Sequence, residues 1–271
     1  MDYKNLLYEK TDNIAKITVN RPDAMNAQSR LLLEEIDNAF TQADEDDEVR
    51  VIIVAGAGKN FSAGHDLCSK EELEDRKEHP WPATAWGYSK RSERLHWNFG
   101  LHWRNIPKPT IAMVQGYCIM GGWMLASACD IIIASEDAKF SDSSARWGGQ
   151  HVQYFTFPWD LGPRKAKEYL WTGDFIDGKE AWRLGMVNRV VPREHLEEET
   201  MELAKKIAEC DPLALKFSKI SVNQQMDIMG YTAAMRASYS FMTARQSLEM
   251  AGQPPAGVQA AKERDKGRDT Q

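Results

Sequence analysis

Two glycine-bearing turns carry the residues best placed for chemistry. The first is Asn60-Phe61-Ser62-Ala63-Gly64-His65-Asp66-Leu67, and the second is Gln115-Gly116-Tyr117-Cys118-Ile119-Met120-Gly121-Gly122. Small residues at such turns let backbone N–H groups come close to a ligand, and a helix N-terminus adds partial positive charge. Each turn by itself also reads as an ordinary chain reversal. The four cysteines, Cys68, Cys118, Cys129 and Cys210, are widely spaced, with no CxxC pair and no nearby histidine ligands. Neither a metal site nor a disulfide framework is expected, and reduced thiols are the plain reading.

The elements that must hold these turns alternate between strand and helix. Leu6–Lys10 and Ile14–Asn20 read as a hairpin, broken by Arg21-Pro22-Asp23. Ser29 is placed to cap a helix with Leu32, Ile36, Ala39 and Ala43 on one face. Val49–Ala55 is a β-branched run without a polar face, as in a strand covered on both sides. Thr110–Val114, a helix from Gly121 to Cys129, and Asp130–Ala134 follow, which predicts an α/β layout with parallel pairing. Pro163 suits the first turn of a helix, Asp177 can cap a short one, and Val187–Val191 reads as another strand. From His195 onward the pattern is helical, which divides the chain into an α/β core over 1–194 and a helical region over 195–271.

The 271 residues include 42% hydrophobic and 27% charged types, ordinary for a soluble globular chain. No apolar run reaches the roughly 18 residues of a membrane helix, and Met-Asp-Tyr-Lys-Asn at the N-terminus lacks a signal-peptide layout. A net charge of -6 argues against nucleic acid as a partner. A cytoplasmic protein with no membrane contact is the expectation.

Taken in series, the two turns and the Pro107-Lys108-Pro109-Thr110 that leads into the second resemble the enoyl-CoA hydratase/isomerase (crotonase) superfamily. Asn20-Arg21-Pro22-Asp23-Ala24-Met25-Asn26-Ala27, Cys129-Asp130-Ile131, Ala138-Lys139-Phe140, Leu170-Trp171-Thr172-Gly173 and Ala181–Asn188 match as well, and the likeness runs from Ile14 to the C-terminus. The resemblance implies a crotonase (ClpP-like) fold of repeated ββα turns, a helical C-terminal trimerisation region, and a homotrimer or dimer of trimers. It implies an acyl-CoA substrate and no separate cofactor, coenzyme A being part of the substrate. The thioester oxygen of a relative sits between two backbone N–H groups, which map here to His65 and Gly121. Such donors stabilise the charge that develops when an enolate forms. Ala24, Ala63, Asp66 and Leu67 match positions that line the coenzyme A moiety.

The chain departs from the family pattern where hydration needs its acid and base. The two glutamates of the family's hydratases map to Met124, three residues after Gly121, and to Ser144, four after Phe140. A thioether carries no proton at neutral pH, and an unassisted hydroxyl is a poor acid and base. Asp142 and His151 are the candidate catalytic replacements, with Tyr154 and Gln150 as orienting groups. His151 falls near a position where relatives that are not hydratases carry a working aspartate. Hydration is therefore doubtful on sequence grounds. Isomerisation, decarboxylation, hydrolysis of a cyclic or β-keto ester, and acyl-CoA binding without turnover all stay open. The aromatic segment 69–105, with Trp81, Trp86, Trp97 and Trp103, is expected to border the acyl pocket or to anchor itself in the core. Met226, Met229, Met235 and Met242 are expected to be covered by another subunit, and Lys262, Arg264 and Lys266 can reach CoA phosphates.

Overall fold

The computed structural model describes residues 3–250, and side-chain surroundings up to 244. The chain opens with an antiparallel hairpin, β1 (Leu6–Thr11) and β2 (Ile14–Val19), followed by α1 (Arg30–Glu45) and β3 (Val51–Gly56). Helices α2 (Lys70–Glu78), α3 (Ala85–Ser92) and α4 (Phe99–Asn105) come next, with a π-helical turn over Glu93–Asn98 joining the last two. Then follow β4 (Thr110–Val114), β5 (Tyr117–Ile119), α5 (Gly121–Ser127), β6 (Ile131–Ser135) and β7 (Lys139–Ser141). The remainder is α6 (Phe157–Thr172), β8 (Ile176–Asp177), α7 (Gly178–Arg183), β9 (Arg189–Val191), α8 (Leu196–Ala208), α9 (Pro212–Ile228) and α10 (Tyr231–Met250).

Two sheets result, a six-stranded one in the order β1-β2-β3-β4-β6-β9 and a three-stranded one in the order β5-β7-β8. The strand pairs β4–β5 and β6–β7 stack one above the other, so that β4 runs parallel to β6 and β5 parallel to β7. A helix closes each pair, α5 after the first and α6 after the second, which is the repeated ββα architecture expected. Strand β3 is buried throughout and serves two cores, as its lack of a polar face predicts. Ile52 and Val54 pack with Leu32, Ile36 and Phe40 of α1, whereas Val51 and Ile53 face Leu196 and Ala204 of α8.

The local signals read from sequence act as expected. The Leu32 amide donates to Ser29 Oγ and that of Glu180 to Asp177 Oδ1. Pro163 follows a break at Gly162 (φ 72°, ψ 161°), so it starts the longer segment of α6 without displacing a helical hydrogen bond. Trp123 is core, edge-on to Phe140, with its indole N–H donating to Thr156 Oγ1. The methionine expectation needs correction. Met235 and Met242 are buried against the chain's own core, and Met229 alone of the four is largely exposed. The exposed apolar residues of the C-terminal helices include Phe217, Val222 and Ile228 on α9, which has no buried residue, and Phe241 on α10. Lys262, Arg264 and Lys266 lie outside the described residues. Among those described, no helix is long and apolar enough to cross a membrane.

A cavity of about 490 Å³ lies at the C-terminal end of α5, lined by Asp160, Trp159, Tyr231, Arg104 and Lys219 among others. Asp160 Oδ2 is sealed there without a hydrogen-bond partner. Burial raises the carboxyl pKa to about 7, against the opposing pull of Thr156. An acid whose folded pKa is raised binds its proton better when folded, so its ionisation destabilises the fold as pH rises from about 4 to 7. Asp160→Asn should melt above the parent at pH 8, with the gap shrinking toward pH 5. Paired thermal melts across that range check this, and a pH-independent difference would contradict it.

Candidate active site

Three loops meet beside β3 through backbone and amide hydrogen bonds. Asn26 Nδ2 donates to the carbonyls of Ala57 and Asn60 at 2.9 and 2.7 Å, and Ser62 Oγ donates to the Asn26 carbonyl at 2.8 Å. The Ala63 amide donates to Met25 O, and a parallel bridge then joins Gln28 to the His65 turn. In that bridge Gln28 N–H donates to Gly64 O and Asp66 N–H donates to Gln28 O. The pattern uses the neighbours of His65 and turns His65's own N–H to the other side.

On that other side stands Gly121. A Cβ on Gly64 (φ 92°) would lie 3.0 Å from the Gly121 nitrogen, so the two turns touch backbone to backbone. A Cβ on Gly121 would meet His65 Nδ1 and Gln28 Oε1, each at 2.6 Å. Both glycines are therefore required, one by conformation and contact and the other by contact alone. Gly121 opens α5, where a first-turn N–H has no intrahelical acceptor. The residue before it, Met120, is held at φ 51° and ψ −114°, with its N–H donating to Ser141 O at 2.8 Å. Such strain costs on the order of 1–3 kcal/mol and persists where the surroundings over-determine it.

The His65 imidazole joins a neutral cluster. Its Nε2–H donates to Gln153 Oε1 at 2.9 Å, an amide oxygen that can only accept, which leaves Nδ1 bare. The His96 ring, on the π-helical turn, lies 4.3 Å from it centre to centre. Burial lowers the His65 pKa to about 4, helped by Arg91 and opposed by Gln153. Burial, His65 and Arg91 take His96 well below its ordinary value too.

The two candidate catalytic residues named from sequence, Asp142 and His151, divide. Asp142 is 2% exposed and accepts from Ser144 N–H at 3.0 Å, from Ser144 Oγ, and from Val152 N–H at 2.8 Å. Burial raises its pKa against those donors. It clamps the 142–152 loop, and the Ser144 hydroxyl is spent on it. His151 donates Nδ1–H to Val152 O at 2.8 Å and stacks on Phe155 at 4.1 Å, which leaves Nε2 as the bare nitrogen. Burial lowers the His151 pKa, opposed by the Val152 carbonyl and Asp142, so the ring is neutral at pH 7. Met124 is buried, Gln150 Nε2 donates to Phe241 O, and Tyr154 is a core residue beneath Gly100.

Of the positions matched to coenzyme A, Ala24 and Ala63 line the paired loops and Leu67 is exposed. Asp66 faces inward instead, toward Arg21 Nη1 at 2.9 Å and the Ser69 amide and hydroxyl. Burial alone would raise its pKa, but Ser69 and Arg21 hold it below the usual carboxylate range. The segment 69–105 is helical, with Trp97 and Trp103 in the core and Trp86 exposed. Sequence reading missed Gln28, His96 and Gln153, whose polar side chains sit on elements otherwise read as packing.

Removing the Asp142 carboxylate leaves buried donors unmet at about 1–3 kcal/mol each. Asp142→Ala should therefore lose several kcal/mol of stability and Asp142→Asn less, as urea melts would show. An Asp142→Ala protein as stable as the parent would contradict the clamp.

The sequence and the fold have counterparts in known proteins. The profile of the enoyl-CoA hydratase/isomerase family matches residues 9–268. The Mycobacterium tuberculosis protein EchA13 is 43% identical over 249 residues, covering 86% of this chain and 78% of that protein. A crotonyl-CoA hydratase of Syntrophomonas wolfei is 34% identical over 233 residues, covering 83% and 84%. The crystal structure described as a probable enoyl-CoA hydratase of Mycobacterium smegmatis is similar with a TM-score of 0.85 and 45% identity, over 91% of this chain and 96% of that one. With its stacked ββα units and paired glycine turns, the chain belongs to the enoyl-CoA hydratase/isomerase family of crotonase-fold enzymes.

Proposed function

We propose that the protein acts on an acyl-CoA thioester through an enolate whose oxyanion lies between the amides of His65 and Gly121. The observation that carries this reading is the contact of the two turns, which sets one amide freed by the Gln28 bridge beside a first-turn amide of α5. In a site closed to water, each such donor contributes about 3–4 kcal/mol to the transition state. The relatives named as hydratases supply the thioester class, with coenzyme A as part of the substrate and no separate cofactor.

Hydration itself is disfavoured in this reading. Met124 holds no proton and the Ser144 hydroxyl is committed to Asp142. His151 is the proton-transfer group, because its Nδ1 is tied to Val152 O and its neutral Nε2 is a bare base. One imidazole base serves proton abstraction beside the thioester, as in double-bond isomerisation, or activation of water against a β-keto or cyclic ester. Asp142 acts as a positioning residue for the loop that carries His151.

Crotonyl-CoA hydration by the purified protein should fall about 10²–10⁴-fold below that of a hydratase with both carboxylates. On the best substrate of an enoyl, β-keto and cyclic ester panel, His151→Ala should lower kcat by a similar factor while leaving ester affinity intact. Unchanged kcat in that variant would remove His151 from the mechanism. Tight binding with no turnover of any ester would instead favour an acyl-CoA-binding protein.

The uncovered face of α9 supports assembly as a homotrimer or dimer of trimers. Light scattering at micromolar concentration should give a trimer or hexamer mass. A monomer mass would overturn this.

A further inference from the structure

We propose that the cavity beneath α9 is a ligand site separate from the glycine turns. It takes a small organic ammonium ion whose charge pairs with Asp160 and whose apolar body lies against α9. The cavity holds about 490 Å³, within the range of small-molecule sites. It touches α5 at Ser127, the end opposite Gly121. A helix of seven residues puts about 10 Å between the two ends.

Helix α9 roofs the cavity. Leu215, Lys219, Val222 and Met226 line it, and their spacing of four, three and four sets them on one helical face. Val222 is exposed and so stands at the mouth, whereas Phe217 and Ile228, exposed on the same helix, do not line the cavity. The space therefore lies between α9 and the core, which accounts for the absence of any buried residue on that helix.

The charges select the ligand. Four charged side chains line the cavity: Arg104, Asp130, Asp160 and Lys219. Lys219 Nζ meets Asp130 Oδ2 at 2.8 Å and donates to Lys108 O at 3.0 Å, and the Thr110 amide donates to the same Asp130 oxygen at 2.8 Å. Arg104 Nη1 meets Asp227 Oδ2 at 3.2 Å, and its Nη2 donates to Asn223 O at 3.1 Å. Asp160 is the exception, for among the described residues its Oδ2 has no donor. Burial raises its pKa to about 7 against the pull of Thr156, so above that pH the cavity holds a negative charge with no counter-ion.

A carboxylate ligand would be repelled by that charge and would find both cations engaged. A metal ion would find too few ligands, since the described residues form no group of acids, histidines or cysteines able to hold one. An ammonium ion supplies the missing donor and the missing charge together. Trp159 and Tyr231, packed T-shaped at 5.2 Å, stand beside it, and the Asp160 charge adds to burial in raising the Tyr231 hydroxyl. Aromatic rings next to a carboxylate suit an organic cation. Ile207, Leu215, Val222 and Met226 face the apolar remainder.

The test is calorimetry on the full chain with benzylamine, benzyl alcohol and benzoate at pH 8 and pH 5. Asp160→Asn is run beside the parent, with circular dichroism to verify folding. Benzylamine is an ammonium ion at both pH values, so its affinity should follow ionisation of Asp160. It should bind about ten- to a hundredfold more tightly at pH 8 than at pH 5. At pH 8 it should exceed benzyl alcohol by about tenfold, and Asp160→Asn should remove both differences. Saturating benzylamine should leave butanoyl-CoA affinity unchanged, because the two sites lie at opposite ends of α5. Absence of benzylamine binding, or binding that ignores pH or survives Asp160→Asn, would overturn the proposal. So would competition with butanoyl-CoA, or a preference for benzoate, which would assign the cavity to an anion held by Arg104 and Lys219.

Discussion

The backbone contact between Gly64 and Gly121 is the constraint on which the rest of the site depends. Side chains at either position would force the turns apart, since the nearest atoms lie within 3.0 Å of where a Cβ would begin. Everything around the contact holds it shut. Asn26 ties its own loop to the carbonyls at the end of β3, the Gln28 bridge aligns the first turn, and Ser141 accepts the Met120 amide that leads into the second. The strained Met120 backbone is the visible cost of bringing a helix start to that place.

Around this contact the protein buries polar groups in an ordered way. Some are fully satisfied and serve architecture. Asp142 collects donors from Ser144 and Val152, and Asp66 pairs with Arg21 and Ser69. Others have an atom without a partner, among them His65 Nδ1 beside Gly121 and Asp160 Oδ2 in the cavity at the end of α5. A buried polar atom without a partner is costly. The same distinction separates His151, oriented by Val152 and Phe155 with one nitrogen bare, from Asp142, whose carboxylate is engaged by three donors.

The helical C-terminus divides along similar lines. Helix α10 returns Met235, Tyr239 and Met242 to the main core, and Tyr239 rests on Trp97 of the π-helical turn. That packing supports the segment which carries His96. Helix α9 buries nothing of its own and leaves Phe217, Val222 and Ile228 to solvent in the single chain. It is this face that the proposed assembly would cover.

Strands, caps and glycine turns were legible from sequence because they are local. The β-branched run of β3, Ser29 and Asp177 as caps, Pro163 as a first-turn residue and the two glycine turns depend on residues a few positions apart. Motif order added the fold and the family, and raised the expectation that Met124 and Ser144 stand where the family's hydratases carry glutamates. The roles of individual polar side chains were not legible. Gln28, His65, His96 and Gln153 meet from distant parts of the chain, and no spacing rule says that an amide in one loop faces an imidazole in another. Asp142 was a candidate catalytic acid by its position in sequence, and only the fold shows Val152 closing on it. The methionines of the C-terminal helices gave an apolar stripe without saying which surface would cover it. Local chemistry determined the elements, and the three-dimensional closure of loops decided which polar atoms found partners and which did not.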